Sequence, residues 1–225
     1  MNPQLPDSVV EQALADDPEA ARAEYLAEFR SGISMFLDVE LLEDCTRPKP
    51  LELPPYNGNI YHAFVDPAGG GADEFTLSIA HSEGDQFVID LVRGRKGSPA
   101  DAVTEFATVL KYYNVKRVTG DRYAGRWPRD EFDKHGIAYD VAEQDRSGLY
   151  MELLAAINSG RVQLPPCEMV KRQLAGLERR TSRSGRDAID HAPGAHDDRA
   201  NAVAGAIATF PKRYGVVKLV RLSGI

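Results

Sequence analysis

Over residues 8–30 the apolar positions recur at spacings of three and four: Val9, Val10, Ala13 and Leu14, then Tyr25, Leu26 and Phe29. That period predicts a helix, interrupted at Asp17-Pro18, with Asp17 as a cap and Pro18 at a first helical position. A second short segment, 33–42, precedes Pro48, Pro50, Pro54 and Pro55, which read as a linker. From about Asn59 the pattern changes to short apolar runs bounded by turn residues. Residues 60–66, 75–81 and 86–93 predict three strands. The turns Gly69-Gly70-Gly71 and Glu83-Gly84-Asp85 make them an antiparallel meander. Ser98 and Pro99 then open a helix running to about Tyr113.

Beyond it the pattern alternates. Strands are predicted at 115–120 and 137–141, helices at 128–134 and 149–158, and an extended piece at 162–164. A basic helix at 168–180, an alanine-rich helix at 198–210 and a terminal strand at 216–222 complete the chain. Three antiparallel strands followed by alternating helices and strands predict an α/β fold, a mixed sheet with helices on both faces. The expected organisation is an acidic helical arm and proline-rich linker at 1–57, then one domain at 58–225.

Composition narrows the class. The chain has 225 residues, 43% hydrophobic and 27% charged, enough for one core and an appendage. Cys45 and Cys167 are the only cysteines and form no CxxC, which fits a reducing compartment and excludes a cysteine-rich zinc module. The N-terminus lacks a basic and then apolar leader, and the apolar run 202–210 is too short to span a bilayer, so no membrane partner is expected. The net charge of −7 is unevenly spread. Residues 1–45 hold eleven acids against Arg22 and Arg30, which leaves 46–225 at +2. Residues 171–186 carry six bases and one acid, so the overall sign does not exclude DNA.

Acids sit where strands end. Asp66 closes an apolar strand, Asp121 closes another, and Asp197 and Asp198 open the alanine-rich helix. Sites in α/β sheets form beyond the carboxyl ends of strands. Carboxylates that converge there repel one another and call for a cation. Oxygen ligands suit Mg²⁺ or Mn²⁺, and two such ions about 4 Å apart would clamp a phosphodiester displacement. Each acid also has a plainer role: Asp66 as a turn residue, Asp121 paired with Arg122 or Arg126, Asp197 as a helix cap and Asp198 as a first-turn acid.

The blocks around these acids carry a resemblance. The segment Phe64-Val-Asp-Pro-Ala-Gly-Gly-Gly-Ala-Asp-Glu-Phe-Thr-Leu resembles the first catalytic strand of phage terminase large subunit nuclease domains. The segment Val118-Thr-Gly-Asp-Arg-Tyr-Ala-Gly-Arg-Trp-Pro is similar to the part carrying their second acid. The block 177–202, with Ile189-Asp-His-Ala-Pro-Gly-Ala-His-Asp-Asp-Arg-Ala-Asn-Ala, resembles the one carrying their last. The likeness runs over about 58–210.

It implies a ribonuclease H-like fold and a metal-dependent endonuclease that cuts concatemeric DNA during viral packaging by a two-metal mechanism, with Mg²⁺ or Mn²⁺. Carried over, Asp66 is the bridging acid, Asp121 the second ligand and Asp198 the third catalytic acid, with Asp197 as cap or alternative ligand. Asn201 stands three residues after Asp198, on the same helical face, as distantly related junction resolvases place their ligands. His191 or His196 would orient water or phosphate.

Arg179, Arg180, Arg183 and Arg186, with Arg122 and Arg126, are the expected DNA contacts. No GxxxxGK[ST] occurs, so the packaging ATPase is expected outside this chain, with 1–45 as the tail that follows it. The implied partners are double-stranded DNA, that ATPase domain, a small terminase subunit and a portal protein, in the cytoplasm of the infected host cell. Two other readings stay open: an actin-like phosphotransferase or ATPase, with glycines 69–71 cradling phosphate, and a non-catalytic packaging adaptor that binds through the acidic arm.

Overall fold

A computed structural model describes residues 6–25, 33–67, 73–121, 125–181 and 187–211. Two short helices, α1 (Asp7–Asp16) and α2 (Pro18–Tyr25), come first, broken at Asp17 as the proline requires. Strand β1 (Ile33–Met35) and helix α3 (Val39–Asp44) follow; Asp38 caps α3 by accepting from the Glu40 amide at 2.9 Å. The meander is β2 (Tyr61–Asp66), β3 (Phe75–Glu83) and β4 (Gln86–Arg95). Gly84, at φ 61°, supplies the left-handed residue of the β3–β4 turn.

Helix α4 (Pro99–Tyr112) starts at Ser98, whose hydroxyl accepts from the Asp101 amide. Then come β5 (Arg117–Gly120), α5 (Trp127–Lys134), β6 (Ala138–Val141), α6 (Arg146–Asn158) and β7 (Val162–Gln163). The described chain ends with α7 (Glu168–Ala175), β8 (Leu177–Thr181), β9 (Asp187–His191) and α8 (Asp198–Ala208).

The main sheet has the order β6-β5-β2-β3-β4-β7. Its centre is antiparallel, and β5, β6 and β7 join it in parallel. Strand alternation splits the core. Phe64 faces one side with Ile89, Tyr150, Leu153, Val203 and Ile207. Ala63 and Val65 face the other with Phe106, Leu110 and Phe132. This is the mixed α/β sheet with helices on both faces expected from the pattern, and it agrees with the fold the resemblance implies. Helix α8 lies tight against β2: a Cβ on Gly205 would come within 2.3 Å of the Phe64 ring, so only glycine lets the two elements approach this closely.

Two expectations change. Residues 168–180 do not form one helix. Gly176 ends α7, and Leu177–Thr181 pairs with Asp187–His191 as an antiparallel hairpin joined by β1. Nor do the described residues 33–57 stand apart from the domain as a linker. Phe36, Leu37 and Leu42 belong to the main core, Thr46 bridges to Leu164, and buried Arg47 donates to the Ile89 and Asp90 carbonyls. The proline-rich segment thus runs against β4, where the Leu53 amide also donates to the Asp90 carbonyl at 2.9 Å. The expected strand at 216–222 lies outside the described residues.

Candidate metal centre

Strands β2 and β5 are parallel neighbours, with Val65 opposite Gly120, so the residue after each pairing leaves the sheet at the same edge. Those residues are Asp66 and Asp121, buried at 8% and 6% exposure. The Asp121 amide still donates to the Val65 carbonyl, at 3.3 Å. Gly120 makes room: a Cβ there would sit 2.0 Å from the Tyr139 hydroxyl, which is packed behind Asp121.

Helix α8 aims its N-terminus at this edge. One turn in, Asn201 is fully buried. Its Nδ2 donates to Asp66 Oδ2 at 2.8 Å and lies 3.3 Å from Asp121 Oδ2. Its Oδ1 has no hydrogen-bond partner among the described residues. Burial, above all, pushes the Asp66 carboxyl up to about 7, with the charges of Asp121 and Asp198 adding and the Asn201 hydrogen bond and Arg146 opposing.

The two acids at the start of α8 face different neighbours. Asp197 occupies the cap position, yet its side chain caps nothing. Gln173 of α7 does that work: its Oε1 accepts from the Arg199 and Ala200 amides at 2.8 and 3.1 Å. Asp197 is thereby free to accept from the buried Tyr150 hydroxyl at 2.7 Å and to face Arg146 Nη1 at 3.4 Å. The expected cap role is corrected accordingly.

Arg146 also reaches toward Asp121, at 3.9 Å, and its charge is felt by Asp66, so one guanidinium stands among three carboxylates. Asp198 is half-buried. Its Oδ2 accepts from the Glu74 amide at 3.2 Å, and its carbonyl accepts from Thr76. Its carboxyl is raised by burial first and by Asp73 and Asp197 next. One ligand atom each of Asp73, His196 and Asp198 lies within 4.8 Å of the others. Arg199, bonded to Glu74 at 2.8 Å, ties the first turn of α8 to the start of β3.

The expected DNA contacts fare unevenly. Arg179 is buried at 2% exposure, bidentate to Asp17 at 2.8 and 2.7 Å and set over the Phe36 ring, so it is corrected from a phosphate contact to a core ion pair. Arg180 is partly exposed and paired with Glu178; Arg126 is well exposed beside Asp130. Arg122, Arg183, Arg186 and glycines 69–71 lie outside the described residues. His191 sits 4.0 Å from Asp197, and His196 3.1 Å from Asp73. Sequence reasoning missed Arg146, Tyr150 and Gln173. Arg146 had a signal: it opens a helix capped by Asp145 just after parallel strand β6, at the same sheet edge.

No protein-family model matches the chain, and no curated protein matches its sequence. Solved structures do match in fold. The large terminase nuclease of thermophilic phage G20c is similar with a TM-score of 0.62 at 18% identity, over 82% of this chain and 91% of that one. The same nuclease with bound magnesium aligns at 0.62 and 18%, over 82% and 90%. The large terminase of bacteriophage HK97 aligns at 0.63 and 14%, over 91% of this chain but 50% of that one. The chain thus has the fold of phage large terminase nuclease domains and spans about half of the longer HK97 protein. Among the described residues no helix is long and apolar enough to cross a membrane.

Proposed function

We propose that this chain is the nuclease domain of a phage large terminase, a divalent-metal-dependent endonuclease that cuts concatemeric double-stranded DNA during genome packaging. The observation that carries this reading is the junction of Asp66, Asp121 and Asn201. Two buried carboxylates share one amide, whose carbonyl oxygen has no partner among the described residues. Such a site is costly without a cation and satisfied by one.

All its donors are oxygens, which suits Mg²⁺ or Mn²⁺. Asp66 would be shared between two ions, with Asp121 and Asp198 as flanking ligands. Bound there, the ions would supply Lewis-acid stabilisation of the phosphoryl oxygens and an activated water. The chain's own contribution is to hold the acids. Asn201 fixes the spacing of Asp66 and Asp121. Tyr150 and Arg146 orient Asp197, which acts as a positioning residue. Arg146 keeps positive charge beside the place where a phosphodiester would sit.

The expected partners are a packaging ATPase domain, a small terminase subunit and a portal protein, in the cytoplasm of an infected host cell. The roughly doubled length of the HK97 large terminase supports the first of these. An actin-like phosphotransferase would need a second lobe. The described residues build one six-stranded mixed sheet with a small three-stranded one at its side. No observation favours an adaptor.

The test is digestion of supercoiled plasmid with Mg²⁺, Mn²⁺ or EDTA. Nicking or linearisation with either metal, stopped by chelation and by Asp66→Asn, is the expected result. Equal cleavage in EDTA would sink the metal mechanism. Tight ATP binding without cleavage would favour the phosphotransferase.

A further inference from the structure

The loss of Arg179 from the surface leaves the proposed nuclease short of a described backbone contact, and another part of the molecule offers one. A cleft of about 450 Å³ opens beside Asp198, lined in part by Glu74, Lys96, Arg172, Gln173 and His196. Lys96 directly follows β4, which runs in the same direction as β2, so it leaves the sheet at the edge that carries Asp66 and Asp121. Arg172 stands on α7, next to the Gln173 that caps α8. Both side chains are exposed.

Most other bases nearby are already engaged: Arg95 with Glu105, Lys171 with Glu168, Arg180 with Glu178 and Arg199 with Glu74. Lys96 and Arg172 pair with no carboxylate among the described residues, and the Arg172 guanidinium donates to the Met169 sulfur. Glu74 is itself neutralised by Arg199, which leaves Asp198, the candidate metal ligand, as the other acid on the cleft wall.

Unpaired cations beside an acid centre suit an anionic chain that must approach carboxylates without being repelled. At about 450 Å³ the cleft is too small for a duplex. We propose that Lys96 and Arg172 seat phosphates of one DNA strand as it passes Asp198 into or out of the metal centre. This rests on the nuclease reading and adds to it the route of the strand. Contacts of this kind are largely indifferent to sequence and are read in salt dependence.

The experiment is fluorescence anisotropy of a labelled duplex in EDTA over a KCl series, with wild type, Lys96→Gln/Arg172→Gln and a control. The control is Lys111→Gln/Lys116→Gln, which removes two exposed bases: Lys111 in the last turn of α4, and Lys116 just before β5 at the far end of the sheet. The cleft variant should reduce the slope of log affinity against log salt by about 2, each single variant by about 1, and the control by nothing. A cleft variant with wild-type slope overturns the proposal, as does an equal loss in the control or a wild type that binds no duplex. Plasmid digestion separates the two ideas. A wild type that binds but never cuts sinks the nuclease reading alone. One that cuts while the cleft variant keeps its slope sinks only the strand route.

Discussion

Asn201 donates to Asp66 at 2.8 Å from the same amide nitrogen that lies 3.3 Å from Asp121, and its carbonyl oxygen has no partner among the described residues. An amide at this point lets two buried acids coexist in the apo protein, because it brings donors and no charge. A third acid would reverse that balance. Asn201→Asp should lower the melting temperature in EDTA by roughly 5–10 °C, as one more uncompensated buried charge requires. Added Mn²⁺ should raise it by more than in wild type, since the ligand set has gained a charge. Differential scanning fluorimetry with and without Mn²⁺ checks both parts. A smaller metal-induced rise in the variant would count against Asn201 facing the ion.

Asp66 makes the apo protein sensitive to pH. Burial raises its carboxyl from an ordinary 3.8 to about 7, so the folded state holds the proton more tightly than the unfolded chain. The stability this confers is complete below about pH 4 and is lost as pH rises toward 7, a change on the order of a few kcal/mol. Asp66→Asn has no charge to bury. In EDTA it should unfold at higher urea than wild type at pH 8, with the gap closing by pH 4, and with Mn²⁺ added at pH 8 it should cut no DNA. A gap that stays constant across this range would mean the burial of Asp66 is not what the titration reports.

Asp197 and Asp198 should separate stability from cleavage. Replacing Asp197 with Ala strips the acceptor from the buried Tyr150 hydroxyl and the nearest counter-charge from Arg146. The cost should be about 2 kcal/mol. Asp198 is half-buried and accepts one backbone amide, so Asp198→Ala should cost less than about 1 kcal/mol while abolishing metal-dependent nicking. Urea unfolding beside plasmid nicking tests the pair. The opposite pattern would exchange their roles.

What could be read from the sequence was what depends on near neighbours. The alternation at 60–66 and 75–93 is a local signal, and β2, β3 and β4 appear within a few residues of it. Ser98 and Pro99 likewise open α4 by contacts within one turn. The errors arise where a distant residue takes a role that a neighbour seemed to fill. Asp197 looked like a cap because it precedes a helix. Gln173, well upstream on α7, reached the helix amides instead. Residues 177–180 were expected as the end of the basic helix begun at 168. They pair with β9 and with β1, a strand far away in sequence. That Asp66 and Asp121 lie together follows from parallel strands ending at one edge. Arg146 follows the same rule after β6, but as a base it was not sought among acids.

Arg179 is the clearest case in which a surface charge run proves to be core. Its partner Asp17 is 162 positions away, and the two groups are almost wholly buried, with Arg179 also over Phe36. A buried pair is expensive to break from one side, because the survivor keeps its desolvation penalty without its partner. Arg179→Ala should therefore destabilise by about 3–5 kcal/mol, and Asp17→Ala by less, because Asp187 still stands 3.9 Å from the guanidinium. The double variant should cost less than the sum of the two, since both members of the pair leave together and only the more exposed Asp187 loses a neighbour. Replacing both by Met and Leu should recover most of the loss, as apolar groups of like volume often do at such sites. None of these changes should alter the salt slope of DNA binding, so long as the measurement is made well below the melting temperature. Urea unfolding of the full cycle, beside the anisotropy series, decides the matter. Additive single costs would mean that Asp17 and Arg179 do not depend on each other. A slope reduced by Arg179→Ala alone would return this arginine to the DNA-facing surface.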